Sequence, residues 1–180
     1  MSDDIAEHVA HAYQRTHAHL LESVVDLADQ ELGWTAAPGT PSVGFHLWHV
    51  ARWSDFLHEV LSGVGGQLWD SEGLALAWGL DDAGLGYAAT GMGMDDDASA
   101  RLALPPKALL LGYVRKTFSV ADEAVGFLDE RGMQMVYSGS RAAEYYGGEY
   151  PFSYNVLREL RHQNRHLGMI ECLRGIMGLR

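Results

Sequence analysis

Apolar residues recur along this chain at helical spacing in four long stretches. The first covers Asp3 to about Glu31, where Ile5, Val9, Ala12, Tyr13, Leu20, Val24 and Leu27 share a face and Ser2 or Asp3 supplies a cap. Pro38, Gly39 and Pro41 end it, and Ser42 caps a second helix over about Val43–Leu61, which carries Leu47, Val50, Trp53, Phe56, Leu57 and Val60 and stops at Gly63, Gly65 and Gly66. A third helix begins near Pro105 and Pro106, which suit a first turn, and continues through Leu109, Tyr113, Phe118, Ala121, Val125 and Leu128 to about Arg131. A connection containing Tyr145, Tyr146, Gly147 and Gly148 leads to a fourth, from Pro151 or Ser153 through Val156, Leu160, Leu167, Ile170, Leu173 and Ile176. No run alternates in the manner of a strand. The expected fold is therefore all-α, a four-helix bundle with a long crossover between helices two and three.

That crossover, from Gly63 to Leu104, is rich in glycine and acidic residues, with one short helix expected around "SARLAL". Connections of this length are uncommon inside a compact domain and often serve a site, so it is a candidate cover for a pocket. At 180 residues the whole chain, 1–180, is expected to be one domain. Apolar stretches are broken well before the roughly 20 residues a membrane span needs. The opening "MSDDIAEHVAHAYQ" lacks the basic and then apolar character of a secretory signal, which makes the cytoplasm the expected location. A formal net charge of -11 opposes a phosphate backbone, so nucleic acid is not an expected partner; a small-molecule substrate is. The single cysteine, Cys172, lies in an apolar pattern and reads as a small core residue.

The candidate chemistry lies among nine histidines. In "RELRHQNRHLGMIECLRG", His162 and His166 are four apart, so both side chains leave one helix face and can converge on an ion. Met169, Ile170 and Leu173 follow on that side and turn the pair towards the core. Gln163 stands where a zincin protease needs glutamate, which excludes that mechanism. A third ligand should come from a facing helix, as bundle metal sites do. The segment "GFHLWHVARWSDFL" offers both His46 and His49, and spacing alone leaves the choice between them open. Three imidazoles keep coordination positions free for water or substrate and favour Zn, Ni, Fe or Co over Mg or Ca.

The other histidines, His8, His11, His17, His19 and His58, have no matching partner pattern and are assigned to solvated faces. Glu159, three residues before His162, is either a surface carboxylate or a group that orients the ligand or shuttles a proton. Asp55 points away from His49 on an ideal helix and is assigned to a surface or interface. Trp48, Trp53, Trp78, Tyr113, Tyr145 and Tyr146 are core aromatics or pocket walls.

Together "HLWHVARWSDFL" and "LRHQNRHLGMIECLRG" resemble the DinB-like superfamily, which includes thiol-dependent transferases and the mycothiol-dependent maleylpyruvate isomerases. The resemblance runs from the first helix to the last and includes the long crossover. It implies that the histidine of "LWH", His49 rather than His46, is the second-helix ligand, joined by His162 and His166. It further implies a divalent metal, zinc or nickel, a low-molecular-weight thiol as cofactor, and a homodimer. Metal-assisted hydrolysis and a non-catalytic stress or binding protein remain as rival functions.

Overall fold

The structure is a computed structural model and describes residues 5–63, 66–136 and 150–179. Among the described residues the long helices are α1 (Ile5–Glu22), α3 (Val43–Ser62), α7 (Lys107–Gly126) and α9 (Phe152–Ile176). Between them lie the short α2 (Asp29–Leu32), α4 (Leu68–Ser71), α5 (Leu74–Ala77), α6 (Asp96–Ala100) and α8 (Glu130–Met133). No strand occurs among these residues, only isolated bridges at Tyr87–Met92 and Val136–Pro151. None of the helices is long and apolar enough to cross a membrane.

The four long helices form the expected bundle. α3 packs on α7 and α9, and α1 closes the other side against the same two, so α1 and α3 sit diagonally opposite each other. The crossover covers the side of α3 that the other long helices leave open, which explains why α3 is buried almost all round, from Val43 to Leu57, rather than along one stripe. Its ends follow the sequence signals. Ser42 Oγ accepts from the Phe45 N–H at 3.1 Å, and Gly63, at φ 65°, ends the helix with its N–H on the Glu59 carbonyl.

The first helix is shorter than expected. It stops at Glu22, where Ser23 Oγ turns back onto the Leu20 carbonyl at 2.8 Å and the β-branched Val24 and Val25 follow. Val24 and Leu27 still reach the core from the turn, which is why they fitted the helical period. Lys107 Nζ donates to the Val25 and Leu27 carbonyls left open there, joining this end to the start of α7. The proposed Ser2 or Asp3 cap, Gly65, and the connection with Tyr145, Tyr146, Gly147 and Gly148 lie outside the described residues.

Helix three ends earlier than expected, at Gly126, and the chain resumes as α8 after Asp129 caps it through the Gly132 N–H. The crossover holds more structure than its composition suggests. α4 and α5 were not legible, and the short helix expected at "SARLAL" sits slightly earlier, where Asp95 accepts from the Ala98 N–H and starts α6.

Two assignments are corrected here. Cys172 is exposed, because α9 turns that side to solvent. Asp55 is fully buried rather than at a surface. Its carboxylate accepts from the backbone N–H groups of Leu68 and Trp69 at 2.8 and 2.9 Å, the Tyr113 hydroxyl at 3.0 Å and Arg52 Nη1 at 2.9 Å. Arg52, itself 1% exposed, also donates to the Ala88 and Ala89 carbonyls at 3.0 and 2.9 Å and to Gln67 Oε1. One buried ion pair thus fastens the first and middle parts of the crossover to α3.

Candidate metal centre

α3 and α9 face each other along the bundle, and their histidines meet there. His49, His162 and His166 each offer a ligand nitrogen, all within 4.8 Å of one another. His49 Nε2 is 3.1 Å from His162 Nε2. Nitrogens bound to one tetrahedral zinc at 2.0–2.1 Å stand about 3.3 Å apart, so this spacing suits a shared ion.

Two of the three outward nitrogens are occupied as a metal site requires. His49 Nδ1 donates to the Thr90 carbonyl at 2.5 Å; a carbonyl only accepts, so the proton sits on Nδ1 and the Nε2 lone pair points inward. His166 Nδ1 lies 3.0 Å from His46 Nδ1, and a proton there on His166 releases its Nε2 in the same way. His162 Nδ1 is 3.3 Å from Glu159 Oε2, close but not aligned as a hydrogen bond. Glu159 is 2% exposed, so of its two readings the surface carboxylate is overturned. With the His49 and His166 protons placed outward, their inward lone pairs face His162 across the centre, and a cation shared by the three rings relieves the repulsion.

Burial holds His46, His49 and His166 in the neutral state. It pushes His46 down to about 4. His49 falls to about 3 through burial and the neighbouring His162, and His166 to about 2 through burial and then His49 and His162. The unfolded chain accepts protons on these residues near 6.5, whereas the folded chain refuses them until well below. Stability of the metal-free protein should therefore fall as the pH drops below about 6.5, by up to roughly 1.4 kcal/mol per pH unit for each such histidine. Urea unfolding at pH 7.5 and 5.5 checks this; equal stability at the two would show that the folded protein takes up the protons.

His49 and His162 open onto a cavity of about 380 Å³, lined also by Trp53, Met92, Arg158, Glu159, Arg161 and Arg165. Met92 comes from the crossover, which therefore forms part of the wall. Of the other aromatics proposed as walls, Trp48, Trp78 and Tyr113 pack instead around Trp69 in the core, and Tyr145 and Tyr146 lie outside the described residues.

A DinB superfamily profile matches residues 12–170. The chain belongs to the DinB superfamily. Its fold is that of a solved structure described as the conserved protein of locus from Enterococcus faecalis, with a TM-score of 0.78 over 98% of this chain and 99% of that one, at 17% identity. No match is found among curated proteins.

Within this DinB fold, His46 takes a supporting place and one other histidine reads differently from its sequence assignment. His46 is not one of the three grouped nitrogens but the partner of His166. His17, assigned to a solvated face, is buried: Nδ1 meets Asp122 Oδ1 at 2.7 Å and Nε2 meets Ser54 Oγ at 3.2 Å. That Asp–His–Ser arrangement resembles a hydrolytic triad on paper. Ser54 is fully enclosed, however, bonded to the Val50 carbonyl and Gln163, so the group ties α1, α3, α7 and α9 together. The Thr90 carbonyl could not be foreseen from sequence, since a backbone atom carries no residue signature.

Proposed function

We propose that this DinB protein is a metal-dependent enzyme of the small-thiol transferase or detoxification type, with zinc or nickel held by His49, His162 and His166. One observation carries the reading: three imidazoles, those of His49 and His166 buried and that of His162 half-buried, have partners or near neighbours on their outward nitrogens and converge on one point, and His49 and His162 open to a cavity of small-molecule size. An all-nitrogen donor set of three fits a transition ion and leaves a position for a substrate atom. When bound, such an ion lowers the pKa of a thiol and holds it as the nucleophilic thiolate.

The chain's own residues supply the rest. The Thr90 carbonyl, His46 and Glu159 orient the three rings. Glu159, buried beside His162 at the cavity wall, is placed to take the proton that a thiol gives up. Trp53 and Met92 provide apolar surface for the electrophile.

Elemental analysis of protein purified without added metal, wild type beside His162→Ala, tests the site. About one equivalent of metal in the wild type and its loss from a still-helical variant is the expected result; no metal in either would favour a non-catalytic binding protein. Turnover of an ester without any thiol would replace thiol transfer by metal-assisted hydrolysis.

A further inference from the structure

The cavity beside the three histidines has a charge that its chain does not. Net charge is -11, yet three of the 13 lysines and arginines, Arg158, Arg161 and Arg165, line this one opening. They recur at three- and four-residue spacing on α9 and so follow one face of the helix. Arg161 and Arg165 each immediately precede a metal-site histidine.

Four of the basic side chains described elsewhere have carboxylate partners. Arg52 pairs with Asp55, Arg101 with Asp97, Lys116 with Glu72 and Arg174 with Asp26. Among the described residues Arg161 and Arg165 have none. The one carboxylate in the cavity wall, Glu159, is turned towards His162 at 3.3 Å. Guanidinium groups recognise planar oxyanions with a two-pronged donor fork, and a carboxylate matches it.

We propose that the cavity selects a small organic substrate bearing a carboxylate, which Arg161 and Arg165 bind while its reactive atom lies at the three histidines. Charged guanidinium groups at the rim attract such a molecule and set its orientation. The idea rests on the metal-and-thiol reading above and adds to it the class of molecule admitted.

The test uses the full chain loaded with cobalt and two thiols that differ only at the far end, 3-mercaptopropionate and 3-mercapto-1-propanol. Thiolate-to-cobalt absorption reports binding of each. Wild type should bind the carboxylate probe about tenfold more tightly. The Arg161→Gln, Arg165→Gln double variant, with unchanged cobalt d–d bands, should bind the two alike. No preference in the wild type, or a preference that survives in the double variant, overturns the proposal. If neither thiol produces the band, the thiol reading fails and the arginines are judged separately by calorimetry on metal-free protein. Carboxylate-dependent heat that disappears in the double variant then supports the arginine site, and its absence from the wild type overturns it.

Discussion

Replacement of Arg52 by methionine should destabilise the fold by about 3–5 kcal/mol, the usual result of removing one member of a buried ion pair. The side chain is fully enclosed, and methionine roughly preserves its stem while removing every donor. Asp55 would keep its bonds from Leu68, Trp69 and Tyr113 but lose its countercharge, and the Ala88 and Ala89 carbonyls would lose their guanidinium donors. Those two alanines stand at φ 46° and 51°, a left-handed conformation that residues with a Cβ adopt only when their surroundings impose it. Without the guanidinium the turn should relax and carry Thr90 away from His49. Urea unfolding measures the stability and competition with a chelator measures the metal. A loss below 1 kcal/mol would mean that solvent reaches Asp55 and that the network holds little together.

The second large effect is expected at Gly91, in the same turn. A Cβ there would lie 2.9 Å from Trp48 Cζ3, 3.0 Å from Phe45 Cζ and 3.1 Å from His49 Nδ1, at φ 87°. Gly91→Ala should therefore cost roughly 2–5 kcal/mol, from backbone strain together with overpacking. It should also weaken metal binding by about 10–100-fold, because the displaced atom is the nitrogen that fixes the His49 tautomer. Gly84→Ala is the control: it has a positive φ of 60° but nothing within 4 Å, so it should show strain alone. Equal losses in the two variants, with metal affinity intact, would remove the contact with His49 from the explanation.

These two positions also mark where reading the sequence stops. Helices α3 and α9 were legible within a residue or two, because Ser42, Gly63 and Pro151 are local signals at the ends of strongly periodic stretches. The three histidines were legible for a similar reason: four-residue spacing is a property of one helix, and the resemblance of the two segments to DinB proteins chose between His46 and His49. Asp55 and His17 were misplaced because each is buried by partners remote in the chain: Tyr113 and the start of α4 for one, Asp122 and Ser54 for the other. Periodicity assigns a polar residue to solvent unless something announces a buried partner; nothing near His17 does, and Arg52, three residues before Asp55, reads equally well as half of a surface pair. The break after Glu22 was hidden because Val24 and Leu27 point inwards from a turn just as they would from a helix.

His49 and His162 are separated by 113 positions in the chain, yet their ring nitrogens nearly touch. An ion shared between them closes a very long loop, and the entropy of that loop falls on the unfolded chain rather than on the native one. Helix α9 presents two of the three rings, so the clasp is completed only once that helix has been synthesised and docked. Opening the bundle at α9 would then require the ion to leave first. Hydrogen exchange in α3 and α9 should follow the lifetime of the metal complex, while exchange in α8 proceeds at its own rate.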